Sequence, residues 1–293
     1  MSRAFVFAGQ GAQYPGMGKE LYDQHEIVKD LFHQANDILG FDIVKIKFEG
    51  SEEDLKETSV TQPALFIHAY AGVKCDGEAG RPDAVAGHSL GEFSALAAAG
   101  VLSFEDGLEL VKTRANAMQQ ACDSSPGAMA AILGLDDEVV VSTCQEIEGI
   151  VVPANYNCPG QLVISGEKVA VEKASDVLMQ KGARRALILP VGGAFHSPLM
   201  SSAESVLADK IQVLEFKKPI CPVYQNVTGK PETDPEVIKS NLIAQLTGPV
   251  KWTQTVQNMM TDGISEFKEY GGNGKVLSGL IRKVNRDAII IRH

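Results

Sequence analysis

Gly87-His88-Ser89-Leu90-Gly91 is a G-x-S-x-G pattern, the spacing that places a serine on a sharp turn between a strand and a helix. The flanks fit that context. Ala84 to Ala86 is a short apolar run that reads as a buried strand. Leu90 to Ala99 is an alanine-rich helix, with Gly100 as its stop. Such a turn pushes the serine hydroxyl out at the carboxyl end of the strand. The helix N-terminus beneath it offers free N–H groups to a developing oxyanion. A serine capping a helix after a glycine turn is the plainer reading. The strand before and the helix after favour a nucleophile.

A serine nucleophile needs a base. His196 lies in Gly192-Gly193-Ala194-Phe195-His196-Ser197-Pro198, a loop directly after a strand, and pairs naturally with Ser89. An α/β-hydrolase would place its histidine near the end of the chain, where only the terminal His293 stands. No Asp or Glu is close to His196 in sequence. The pattern points to a Ser-His dyad whose imidazole is oriented by a main-chain carbonyl. Arg114 sits among small and apolar neighbours. In a cleft it would need an anion, and its spacing alone fits a surface arginine slightly better. The glycine-rich loop Gly9 to Gly18 is neither a Walker sequence nor a dinucleotide fingerprint. It is either a flexible turn or a loop that brings a backbone N–H or the Gln10 amide beside Ser89.

The positioning elements follow from periodicity. Ala4 to Phe7 reads as a central strand and Lys19 to Leu39 as one helix. An acidic helix start is expected at Ser51 to Leu55, and Thr61-Gln62-Pro63 leads into a helix over 64–74. His25 and His33 read as surface residues and His68 as interior. A helix capped by Ser103 runs to about Cys122. Residues 127–191 then read β-α-β-β-α-β, the ferredoxin-like pattern. Helices follow over 200–211, 235–246, 252–260 and 275–283, with strands over 222–227, 264–270 and 288–291. The 293 residues fit a large domain, 1–124 and 193–293, carrying an inserted small domain, 125–192.

Composition narrows the function. Lys plus Arg is 27 against 37 Asp plus Glu, a net charge of −10, which disfavours nucleic acid as a partner. Five dispersed cysteines with no C-x-x-C fit a reducing cytosol rather than disulfides or zinc. The N-terminus shows no signal peptide, and no run is long enough to span a membrane, so a cytoplasmic protein is expected.

Phe5 to Gln13, Gly87 to Phe93, Arg114, Ala194-Phe195-His196-Ser197 and Gln245-Leu246-x-x-Pro249-Val250-x-Trp252 resemble, in order and spacing, the malonyl-CoA:acyl carrier protein transacylases over essentially the whole chain. The resemblance implies an α/β fold, a hydrolase-like parallel-sheet domain with an inserted ferredoxin-like domain. It implies malonyl transfer from malonyl-CoA to the phosphopantetheine thiol of acyl carrier protein through a malonyl-serine, serving fatty acid synthesis. It also implies roles: Ser89 as nucleophile, His196 as base, and the Gln10 and Leu90 N–H groups as oxyanion hole. Arg114 would bind the malonyl carboxylate, and the Gln245 carbonyl would hold His196. His88 would line the mouth, and Phe195 matches members that prefer malonyl. No cofactor is expected, and a monomer is. Candidate basic contacts for an acidic carrier are Lys181, Arg184, Arg185, Arg282, Lys283 and Arg286. Two departures stand out: Ala8 where a proline is usual, and Gly271-Gly272-Asn273-Gly274 where Gly-Pro-Gly is usual. A thioesterase, a non-catalytic carrier-docking module and a polyketide acyltransferase are the alternatives.

Overall fold

The computed structural model describes residues 2–77 and 81–291. Among these, two sheets form. The first is built on parallel strands: β1 (Ser2–Phe7), β2 (Ala84–Gly87), β7 (Val223–Tyr224), β9 (Ile264–Tyr270) and β10 (Ile289–Ile291). The short β8 (Pro231–Glu232) pairs antiparallel at one edge, giving the order β10-β9-β1-β2-β7-β8. β1 is central, pairing Phe7 with Gly87 on one side and with Tyr270 on the other. Its residues Ala4 to Phe7 are fully buried, as a parallel strand covered on both faces requires.

Around this sheet pack α1 (Lys19–Gln24), α2 (Glu26–Leu39), α3 (Ile43–Glu49), α4 (Thr58–Asp76), α5 (Gly91–Ala98) and α6 (Phe104–Ser124). Later come α9 (Ser201–Val213), α10 (Pro235–Ala244), α11 (Trp252–Thr261) and α12 (Val276–Val284). The second sheet comprises β3 (Gly127–Leu133), β4 (Val151–Cys158), β5 (Gln161–Glu167) and β6 (Arg185–Ile188). It is antiparallel in the order β4-β5-β3-β6, with α7 (Asp137–Glu146) and α8 (Lys168–Gln180) between its strands. This is the β-α-β-β-α-β order expected from sequence, and it has its own apolar cluster around Ile132, Leu162, Ile164 and Val171.

The two sheets meet at the turn between α10 and α11. Val250 N donates to Ala154 O at 2.8 Å and Tyr156 N to Val250 O at 2.9 Å. That turn also carries Gln245 and Gly248, so the second sheet braces the segment that faces His196.

Five expectations are corrected. The Lys19–Leu39 helix breaks at His25, whose backbone is extended. The break lets Tyr22 pack on Phe32 and Phe48, with ring centroids 5.6 and 5.4 Å apart. In one continuous helix, residues 22 and 32 would lie roughly 15 Å apart. The helix expected over 64–74 begins at Thr58, so Pro63 lies inside it and Gln62 is on a buried helical face. Ser51 and Asp54 exchange hydrogen bonds but cap a single turn, Asp54–Lys56. The strand expected over 222–227 ends at Tyr224, because Gln225 and Asn226 turn away from the sheet. His68 is half-buried rather than interior, with Nε2 3.3 Å from Gly272 O.

Candidate active site

The carboxyl ends of β1, β2, β7 and β9 converge on one edge of the first sheet, where open α/β sheets present their ligand sites. β2 leads through the elbow directly into α5. The turn leaves no room for side chains: a Cβ on Gly87 would lie 1.9 Å from Gly91 C, and one on Gly91 2.0 Å from Phe7 O. Ser89 at the apex has φ 54°. His196 has φ 57°, and among the described residues these two are the non-glycine residues with positive φ. Strain of this kind persists where the surroundings over-determine it.

At the elbow the surroundings do so. Ser89 N donates to Asn226 Oδ1 at 2.7 Å, and Asn226 Nδ2 donates to Gly87 O at 2.6 Å. Gln245 Nε2 donates to Ser89 O at 3.0 Å. One amide side chain thus clamps the Ser89 N–H and another its carbonyl.

His196 Nδ1 lies 2.8 Å from Gln245 O and 3.2 Å from Gly248 O. Both are acceptors, so Nδ1 carries the hydrogen and Nε2 presents its lone pair. Ser89 Oγ lies 2.8 Å from that Nε2 and donates to it. Burial, reinforced by the Arg114 charge, pushes the His196 pKa down to about 3, against the opposing bond to Gln245. The imidazole is therefore neutral near pH 7.

Arg114, from α6, is 1% exposed. Its NH1 donates to Gln62 Oε1 at 2.8 Å, and its NH2 to Ser89 Oγ at 3.0 Å and Gln245 Oε1 at 3.2 Å. Nε has no partner among the described residues. Burial lowers its pKa to about 10, with Glu92 opposing, and the group stays cationic. A buried cation held by neutral amides, with a free N–H, suits an incoming anion. The slight preference of spacing for a surface arginine is overturned, because the helical start at Thr58 brings Gln62 against the guanidinium.

Ser89, Arg114 and His196 line a cavity of about 490 Å³ with Gln10, Leu90, His88 and Phe195. The Gln10 and Leu90 N–H groups make no hydrogen bond among the described residues. His88 Nε2 lies 2.8 Å from Asn157 Oδ1 on β4, and burial lowers its pKa. Lys56 lines the cavity. The six basic candidates do not. Lys181 pairs with Glu146 at 2.9 Å, and Lys283 bonds Gln161 at 3.1 Å.

The loop Gly271–Gly274 backs onto the Gln10 loop rather than lining the cavity. Gly272 has φ 65°, and a Cβ there would lie 2.6 Å from Ala12 O. Gly272→Ala is expected to lower the unfolding free energy by roughly 1–3 kcal/mol, read by thermal denaturation.

Sequence reasoning missed Gln62, Glu92, Asn226 and the side chain of Gln245. One signal was present for Glu92: an ionisable residue in a helix that offers no polar face.

The geometry supports nucleophilic acyl chemistry on an acyl group that bears an anion. The comparisons with known proteins agree. A family model for the acyl transferase domain matches residues 4–270. The malonyl CoA-acyl carrier protein transacylase of Staphylococcus aureus (strain MRSA252) is 43% identical over 287 residues, 97% of this chain and 92% of that protein. That of Bacillus subtilis (strain 168) is 44% identical over 287 residues, 97% of this chain and 90% of that protein. The solved transacylase of Coxiella burnetii superposes with a TM-score of 0.95 at 39% identity, covering 99% of this chain and 93% of that one. A malonyl-transacylase solved with a type II PKS acyl-carrier protein gives 0.94 at 41%, covering 99% and 94%. The family-model match, with relatives 43% and 44% identical over nearly the full length, shows that this chain belongs to the malonyl-CoA:acyl carrier protein transacylase family.

Proposed function

We propose that this enzyme transfers malonyl from malonyl-CoA to the phosphopantetheine thiol of acyl carrier protein through a malonyl ester on Ser89. The observation that carries the reading is Ser89 Oγ held between the free lone pair of His196 and the Arg114 guanidinium. Malonyl-CoA enters with its carboxylate toward Arg114, whose bond to Ser89 Oγ gives way to the stronger acceptor. Ser89 Oγ attacks the thioester carbon as its proton passes to His196 Nε2. The oxyanion is met by the N–H groups of Gln10 and Leu90. Collapse expels the CoA thiolate, which takes the proton from His196. The carrier thiol then repeats the cycle in reverse, giving a ping-pong sequence through one site.

His88, tied to Asn157, and Phe195 shape the mouth. The chain divides into a catalytic unit, 1–124 and 193–293, and an inserted unit, 125–192, a division supported by the separate apolar cluster of the second sheet. The malonyl carrier serves fatty acid synthesis. A cytoplasmic location is supported by five cysteines that stand as free thiols.

Intact-protein mass after brief mixing with malonyl-CoA tests the reading. A malonyl adduct that persists in water and is discharged by the carrier thiol is expected. An adduct lost equally fast without carrier would mean a thioesterase, and no adduct would sink the transfer reading.

A further inference from the structure

Glu92, in the first turn of α5, is completely buried directly beneath the elbow. Its Oε2 accepts from Asn226 N at 2.9 Å and from Gln245 Nε2 at 3.0 Å, and its Oε1 accepts from Gln225 Nε2 at 3.1 Å. The two partners on Oε2 are the residues that clamp Ser89. The Gln245 amide is the critical joint. Its nitrogen faces three acceptors, Glu92 Oε2, Ser89 O and Asn226 Oδ1, while its oxygen faces Arg114 NH2. An ionised carboxylate only accepts, so it permits just this orientation. A protonated Glu92 needs an acceptor for its own hydrogen. Turning Gln245 would supply one, but would aim an NH2 group at the Arg114 cation and withdraw the bond to Ser89 O.

We infer that ionised Glu92 is a positioning residue for both halves of the site, holding the Gln245 amide so that its nitrogen fixes Ser89 and its oxygen fixes Arg114. The inference rests on the transacylase reading above. Burial pushes the Glu92 pKa up to about 7, against its hydrogen bonds and the Arg114 charge. Arg114 is the charged group acting on it. His196 and His88, the other titratable groups at the elbow, are both depressed by burial and neutral near pH 7. The fraction of enzyme with a correctly set Gln245 therefore falls as pH drops through neutrality.

The test measures acylation of the full chain by malonyl-pantetheine, which carries no phosphate to titrate, from about pH 5.5 to 8.5. The wild type should show an acid limb near neutrality. Glu92→Gln, checked for folding by circular dichroism, should lose that limb and acylate about 10- to 100-fold more slowly at the alkaline end. Its loss should be smaller with acetyl-pantetheine, which makes no use of Arg114. A wild type without the limb overturns the inference with no variant needed, and so covers a Glu92→Gln that fails to fold. A Glu92→Gln that keeps the limb, or loses both acyl groups equally at every pH, overturns it as well. A wild type that takes up no malonyl at any pH sinks the transacylase reading, and this inference with it.

Discussion

Ser89→Ala should take up no malonyl at all. Intact-protein mass after mixing with malonyl-CoA should stay at the unmodified value, and steady-state transfer should fall by at least about 10⁴-fold, as for loss of the group that forms the covalent bond. The fold should survive. Among the described residues, Ser89 Oγ hydrogen-bonds His196 Nε2 and Arg114 NH2, whereas the clamp on the elbow uses the Ser89 backbone. Alanine at φ 54° carries a strain of about 1 kcal/mol, which serine carries already. An adduct that persists in Ser89→Ala would move the nucleophile elsewhere. The thiols are poor substitutes. Cys122, whose sulfur packs against Gly193 near Phe195, has its pKa raised to about 11 by burial, so its thiolate is scarce at neutral pH.

Much of this site was legible because its chemistry sits on sharp local signals. Gly87 and Gly91 are required by contacts under 2.1 Å, and a strand, a three-residue turn and a helix fall within fifteen residues. The alternation of strands and helices likewise exposed the small sheet, since most of its elements are long and periodic. What stayed hidden is the polar layer under the elbow. Glu92, Asn226 and the Gln245 side chain meet only after the chain has closed over separations of 134 and 153 residues, and nothing local marks amides that serve one another. Arg114 was ambiguous for the same reason. Its burial is made tolerable by Gln62, 52 residues away, and by the Phe93 ring 5.4 Å below it. The same distance effect shortened β7. Gln225 and Asn226 read as strand residues, yet their side chains are spent on Glu92 and on the elbow, at Gly87 O and Ser89 N, and the ladder of β7 stops at Tyr224.

Arg114→Ala should separate malonyl from acetyl transfer. With malonyl-CoA, the variant must bring a carboxylate into a site that no longer holds a cation, an uncompensated buried charge. The loss in kcat/KM should be about 2–4 kcal/mol, or roughly 30- to 1000-fold. With acetyl-CoA there is no carboxylate to place, and the only contact forfeited at the reacting atom is NH2 to Ser89 Oγ at 3.0 Å. That bond occupies a lone pair of the nucleophile and draws charge from it. Its removal should leave acetyl transfer within about threefold of wild type. The two substrates should therefore diverge for one physical reason: malonyl alone brings a carboxylate that needs the guanidinium. Arg114→Lys sharpens the point, because an ammonium keeps the charge but cannot serve Gln62, Gln245 and a carboxylate from one plane. It should recover part of the malonyl rate and less than the wild-type preference. Parallel measurement of kcat/KM for both thioesters checks this, and equal losses in Arg114→Ala would remove the arginine from carboxylate recognition and leave it a purely structural cation.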